Sequence, residues 1–450
     1  MPALSPTRRL FVGAVVVLAL LLAACGESGA APDPVASTPA PTSAPTTTAL
    51  STPTTAPPCA PDPSLTAPAT SPVPAELADR LALATADPRL TATDFGISIW
   101  IEGYGEVAAV APDDPLLPAS NQKILTAMGA LALLGPDTRF TTEVRLAPSG
   151  DLVLVAGGDP SLAATGPHSL DALAAGVAAA GVTQVRGALV VDESRHDSQR
   201  RAGAWEDWQV PEYAGTMSAL MVDRNRYRRD DEFLADPALA NAELFRVFLG
   251  ARGVTLTGAT AHGTASTDGT VVTSVTSAPV RELVTNTLLY SDNMMAELLV
   301  KEIGVAVRDE GSTAAGLAAA TAALADGLCL PLDGAADDGS GLSRSNLRSA
   351  REWRMLLQAA PTQPWWPLLD GALPLAGRTG TLSGRFRGTA AEANVRAKTG
   401  TIIGGTALSG YGTTAGGRPF VFSIISNGPA ANGNEPAIDA LVALVAADAS

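Results

Sequence analysis

Residues 26 to about 75 are mostly Ala, Pro, Ser and Thr, as in Pro39-Ala40-Pro41-Thr42-Ser43-Ala44-Pro45-Thr46. A stretch of this composition cannot bury enough apolar surface to offset the entropy lost on ordering it. The folded body must therefore come from the chain beyond it, which is long enough for more than one domain and a sizeable core. Residues 25–75 are expected to form a tether without fixed structure, with the body starting near residue 76.

Ahead of the tether lies an export signal. Arg8 and Arg9 supply a positive start, Phe11 to Leu22 a short apolar run, and Leu22-Ala23-Ala24-Cys25 a small-residue close. Residues 1–24 resemble a bacterial lipoprotein signal peptide. The resemblance implies an exported chain with lipid on Cys25, held at the outer face of the cytoplasmic membrane or released to the periplasm or exterior. The apolar run is short for a membrane span. Thr7 to Phe11 also loosely resembles a twin-arginine signal, so the export route stays open. Of the three cysteines, Cys59 and Cys329 then remain. In an exported protein they are expected to pair as a disulfide, with two buried thiols as the alternative. His168, His196 and His262 are scattered and no HExxH occurs, so neither a metal nor a cofactor is expected. The formal charge of −15 argues against nucleic acid as a partner.

Only three lysines occur, Lys123, Lys301 and Lys398; arginine supplies the other positive charge. Arginine keeps its proton at working pH, whereas a buried lysine can lose it. Lys123 and Lys398 fall inside short motifs and are read as chemistry. Lys301 ends an apolar stretch and is read as a cation at a helix C-terminus.

Hydrophobic patterning places strands at Gly96–Ile101 and Glu106–Val110, followed by a helix from Ser120 to Leu134 with Ile124, Leu125, Met128, Leu131 and Leu134 on one buried face. Further strands fit 141–146 and 152–156. A mixed region follows, with a strand at 188–192 and a helix around 242–249. Helical patterns cover 279–302 and 314–324, with another helix after Asn346. Strands return at 394–398, 407–413 and 419–425, and a helix runs from Glu435. Strands at both ends of the body predict one sheet built from distant segments, interrupted by an α/β insertion.

Three motifs carry the chemistry. In Ser120-Asn121-Gln122-Lys123, serine and lysine share a helix face. A desolvated lysine can serve as the base a serine nucleophile needs, and the helix N-terminus favours developing negative charge. Taken alone, the motif is better read as an N-cap serine followed by an exposed lysine. In Ser291-Asp292-Asn293, a hydroxyl can relay a proton and an amide can orient a carbonyl or a lysine; the plain alternative is a capped helix break. Lys398-Thr399-Gly400-Thr401 offers a cation and a hydroxyl to a terminal carboxylate, a glycine permitting close backbone approach, and the Thr401 N–H as an oxyanion donor beside that of Ser120; the alternative is an edge strand with a surface lysine. A near copy, Gly377-Arg378-Thr379-Gly380, is set aside because arginine replaces the lysine.

In this order the motifs resemble those of penicillin-binding proteins and serine β-lactamases. With Gly158-Asp159-Pro160, Val222 to Asn225 and Asp338 to Arg344, residues 77–450 resemble the low-molecular-mass class C penicillin-binding proteins, the D-alanyl-D-alanine carboxypeptidases and endopeptidases of peptidase family S13. The resemblance implies an α/β (α+β) fold: a penicillin-binding-protein/β-lactamase-like domain over 76–146 and 273–450, interrupted by an inserted α/β domain at 147–272. It implies peptidoglycan stem peptides ending in D-Ala-D-Ala as substrates and β-lactams as ligands. Ser120 would be acylated, Lys123 would be the base, Ser291 the relay and Asn293 a positioning group. Lys398, Thr399, Gly400 and Thr401 would hold the substrate, and Arg344 with Asp207 would read the diaminopimelate side chain. Ile402-Ile403 stands where a more polar position is expected. A β-lactamase or esterase of the same superfamily, or a wall-binding lipoprotein with vestigial motifs, are the alternatives; no Glu-x-x-x-Asn loop supports a class A-like β-lactamase.

Overall fold

The computed structural model describes Leu65 and residues 69–450. The signal segment, Cys25, Cys59 and most of the tether lie outside the described residues. Helices α1 (Ala75–Thr85) and α2 (Pro88–Thr91) lead into the hairpin β1 (Asp94–Ile101) and β2 (Gly105–Val110). Helix α3 (Gln122–Gly129) is entered by a 3₁₀ turn at Ala119–Asn121 and prolonged by a π turn at Ala130–Leu134. Next come β3 (Thr141–Leu146), β4 (Leu152–Val155), α4 (Leu170–Ala179), β5 (Gln184–Val185) and β6 (Leu189–Asp192). After these lie α5 (Asp231–Ala235), α6 (Pro237–Ala251), β7 (Thr255–Leu256), β8 (Thr260–His262) and β9 (Thr270–Thr276). A helical stretch follows: α7 (Val280–Leu289), α8 (Asn293–Arg308), α9 (Thr313–Leu328), α10 (Ala350–Ala359) and α11 (Trp366–Ala372). The chain closes with β10 (Arg396–Ile402), β11 (Gly405–Thr413), β12 (Pro419–Asn427) and α12 (Glu435–Ala446).

The first sheet has the order β10-β11-β12-β1-β2 and is antiparallel throughout. Early and late strands pair directly, with Ile97 opposite Ile424 and Ile99 opposite Phe422. The expected sheet assembled from distant segments is thus present, and β10, which carries Lys398, is its edge. One face packs on α3 and α7 to α11 through Met128, Leu299, Ile303, Trp353 and Leu356. The other packs on α1 and α12 through Leu77, Leu81, Ile438 and Leu441.

The second sheet has the order β8-β6-β4-β3-β9. Its β4–β6 and β6–β8 pairs are parallel. Parallel neighbours need a crossover, which α4 and α6 provide; they cover the sheet with Leu173, Val177, Phe245 and Leu249. A smaller cluster of Trp205, Met217, Met221, Met294, Leu298 and Leu342 joins the loops beyond this sheet to α8.

Three local readings change. The helix at 122–129 is buried on every side rather than on one face, because it runs through the middle of the helical layer. The helical pattern at 279–302 is two helices, broken at Tyr290–Asp292. Lys301 does not end a helix: it lies within α8, is 1% exposed and pairs with Asp197. Beside it, Glu302 accepts from Arg195 Nη2 at 2.5 Å and sits 2.7 Å from His196 Nε2. These pairs fasten the segment after β6 to α8. Among the described residues no helix is long and apolar enough to cross a membrane.

Removing Glu302 strips the partner from a guanidinium and a buried imidazole. The Glu302→Ala variant should lose roughly 3 kcal/mol of stability by denaturant titration. Burial holds the His196 imidazole below its usual range despite Glu302. Its contribution is therefore complete above the unfolded-state histidine value, about pH 6.5, and is lost as pH falls below it. His196→Gln should flatten that acid-side fall in melting temperature.

Candidate active site

The turn at Ala119–Asn121 brings Ser120 to the start of α3. Ala119 has φ 46°, a conformation unfavourable for a residue with a side chain. A Cβ on Gly341 (φ 87°) would overlap the Ala119 carbonyl oxygen, so the 338–344 loop can press on this turn only with glycine there. A Cβ on Gly400 would lie 2.7 Å from the Pro118 carbonyl oxygen. The close approach that Gly400 permits in this structure is by the chain's own turn. Both glycines therefore help to define where the Ser120 hydroxyl stands.

Lys123 is fully buried. Its Nζ donates to Ser120 Oγ at 2.9 Å, Asn293 Oδ1 at 2.7 Å and Ser340 O at 2.5 Å. Burial lowers its pKa to about 8, against the opposing pull of Asp338, Glu297 and Asp292. Asn293 opens α8, and its amide nitrogen donates to Tyr213 O at 2.9 Å. Ser291 has φ 57°, one residue past the end of α7 and its cap, so the α7–α8 break turns its hydroxyl inward. Lys398 Nζ, also fully buried, donates to Ser291 Oγ at 3.0 Å and Thr399 O at 2.8 Å. Burial, and then the positive charge of Lys123, push its pKa well below the ordinary lysine range.

The three motifs thus converge on one place. A chain of hydrogen bonds links Lys398 to Ser291, and another links Asn293 through Lys123 to Ser120. A lysine partly deprotonated near neutral pH and bonded to a hydroxyl is the pairing a serine nucleophile requires. Thr399 Oγ1 donates to Thr381 Oγ1 at 2.8 Å. Thr381 directly follows the near-copy segment, whose Arg378 pairs with Glu392 instead. That segment is no second site, yet it supports the first.

Farther out, Arg344 Nε donates to Glu206 Oε1 at 3.0 Å and Nη2 to Ile403 O at 2.9 Å. Asp207 is not brought to Arg344: its highly exposed carboxylate pairs with Arg201. Glu206, the neighbour in sequence, takes that place. Asp338 is buried and accepts from Trp205 Nε1 at 2.8 Å, Gly341 N at 2.6 Å and Ser343 N at 2.7 Å. Sequence reasoning missed Glu206, Thr381, the Ser340 carbonyl and the buried Glu297. Of these, Glu297 had a readable signal, one helical turn after Asn293 on the same face.

The model of the D-Ala-D-Ala carboxypeptidase 3 (S13) family matches residues 77–232 and 233–448. A D-alanyl-D-alanine carboxypeptidase of Actinomadura sp. (strain R39) is 33% identical over 430 residues, covering 76% of this chain and 79% of that protein. A carboxypeptidase of Mycobacterium tuberculosis is 34% identical over 396 residues, covering 83% of this chain and 84% of that protein. The crystal structure of penicillin binding protein 4 from Haemophilus influenzae superposes with a TM-score of 0.69 at 22% identity, over 77% of this chain and 93% of that one; it shows the shared fold. A family match along nearly the whole folded body, together with relatives more than 30% identical over most of both chains, means that this chain belongs to the D-Ala-D-Ala carboxypeptidase 3 (S13) family.

Proposed function

We propose that this chain is a penicillin-binding serine D-alanyl-D-alanine carboxypeptidase that acts on peptidoglycan stem peptides through an acyl-enzyme on Ser120. The observation that carries this reading is the buried Lys123 Nζ, 2.9 Å from Ser120 Oγ. Neutral Lys123 takes the hydroxyl proton as Ser120 Oγ attacks the carbonyl of the penultimate D-alanine. The N–H groups of Ser120 and Thr401 face the developing oxyanion. The C–N bond then breaks, and terminal D-alanine leaves as an amine that collects a proton through Ser291. Water hydrolyses the ester and returns the proton to Ser120. Lys398, Thr399 and Gly400 receive the terminal carboxylate, and Asn293 holds Lys123 and the substrate amide. A β-lactam undergoes the same attack, but its amine stays tethered and the adduct persists. An endopeptidase reaction on cross-links would use the same centre, with a second stem peptide as leaving group.

Arg344 faces the far end of the stem-peptide side chain in this reading. A carboxylate from Asp207 or Glu206 completes the recognition, and the Glu206–Arg344 pair favours Glu206. The reading keeps an inserted domain, with its borders moved outward to include β3 and β9, which belong to the second sheet. It also keeps export, the lipid on Cys25 and the Cys59–Cys329 disulfide. Support for the disulfide comes from Leu65, six residues past Cys59, which lies in one core cluster with Leu328 and Leu330.

Ser120→Ala should abolish labelling by a fluorescent penicillin and cut D-alanine release by at least about a thousandfold, with an unchanged melting curve. Persistent labelling would place the nucleophile elsewhere, and rapid penicillin turnover by the parent would make it a β-lactamase. Because the lysine works when deprotonated, the acylation rate should rise with pH through about 8, the value for Lys123, and level off above it. Stopped-flow labelling across pH 6 to 10 measures that limb. Arg344→Ala should lower kcat/KM on a diaminopimelate peptide by about tenfold or more while penicillin acylation changes little. Equal losses on both would make Arg344 structural.

A further inference from the structure

Glu297 is fully buried on α8, one turn beyond Asn293. Its carboxylate accepts the N–H groups of Gly339 at 3.2 Å and Ser340 at 2.8 Å. The carbonyls of the same two residues point the other way, to α3. Gly339 O accepts the Thr126 hydroxyl at 2.7 Å, and Ser340 O accepts Lys123 Nζ at 2.5 Å. Residues 339 and 340 are therefore strung between a carboxylate on one helix and the reactive lysine on another. A buried carboxylate is costly unless its oxygens are hydrogen-bonded, as both are here.

The charged groups around this strut come from four elements. Lys123 lies on α3, and Asp338 in the 338–344 loop. Asp292 caps α8 and is itself paired with Arg224, and Lys398 lies on β10 beyond Lys123. Burial, reinforced by Asp338, raises the Glu297 pKa to about 8, whereas Lys123 draws it down. Conversely, a negative Glu297 favours the ammonium form of Lys123.

We propose that Glu297 is a positioning residue of the acyl-transfer centre: by accepting the Gly339 and Ser340 N–H groups it seats that segment so that Ser340 O holds Lys123 on Ser120. This rests on Lys123 being the base, as proposed above. The test is the pH profile of acylation by labelled penicillin, measured for the full chain and for Glu297→Gln and Glu297→Asp. The amide keeps one acceptor oxygen and no charge. It should lower the plateau rate about tenfold, the cost of one buried hydrogen bond. It should also move the acid limb down by about half a pH unit or more, because the ammonium loses a partly ionised carboxyl from its surroundings. Aspartate keeps the charge but is one methylene shorter. It should lower the plateau and leave the limb within a few tenths of a unit of the parent's. A lower plateau with the parent limb in the Gln variant would make Glu297 merely structural, and an unchanged plateau would remove it from the site. Should the Gln variant not fold, the Asp variant decides: an unchanged plateau or a limb shifted by about half a unit or more overturns the proposal. Failure of the Lys123 reading itself shows separately, as a parent enzyme whose acylation has no acid limb.

Discussion

One nitrogen organises this active site. Lys123 Nζ is shut away from water and spends its donors on Ser120, Asn293 and the Ser340 carbonyl. Those partners come from its own helix turn, from the head of α8 and from the 338–344 loop. An ammonium in such surroundings is stable only if each donor is satisfied. Loss of register in any of the three segments would leave a buried donor unmet. The requirement that the charge be solvated by protein thus ties the position of the Ser120 hydroxyl to the packing of the whole helical layer.

The 338–344 loop does much of that work. Asp338 folds the loop on itself through Gly341 and Ser343 and reaches across to the indole of Trp205. Glu297 holds the same loop from the α8 side. Gly341, with no side chain, lets the loop lie against the Ala119 turn. The apolar cluster of Trp205, Met217, Met221, Met294, Leu298 and Leu342 seals the junction beneath. Polar bonds set the loop's direction here, while apolar burial supplies most of the favourable free energy. The segments around Trp205 and Glu206 reach the site from beyond the second sheet, next to the catalytic motifs yet distant from them in sequence.

Much of this was legible in the chain. Strands at both ends of the body announced a shared sheet, but the alternation of Ile97, Ile99 and Ile101 marks only the face of β1 turned to α1 and α12, and Gly96 and Ser98 on the other face are buried as well. Ser120, Lys123, Ser291, Asn293 and Lys398 stood out because each motif joins residue types that are chemically useful only together. Other features were not legible. Lys301 looked like a helix-end cation because local pattern cannot reveal that Asp197 waits on another segment. Asp207 looked like the recognition carboxylate because adjacent acids are indistinguishable in sequence, and only the backbone turn decides that Glu206 faces Arg344. The Gly377–Gly380 stretch failed as a motif, yet Thr381 just after it supports Thr399.

The sequence by itself determined which side chains could do chemistry here, the periodicity of the elements that carry them and the stretch that cannot fold. Those properties are local: they follow from residue type, spacing and composition. The tertiary structure alone decided that Lys123 loses its water, that Ser340 and Glu297 become its neighbours, and which of two adjoining carboxylates meets Arg344. Burial and long-range pairing depend on which distant surfaces close over a group, and in this chain they turn an ordinary lysine into one poised to release its proton.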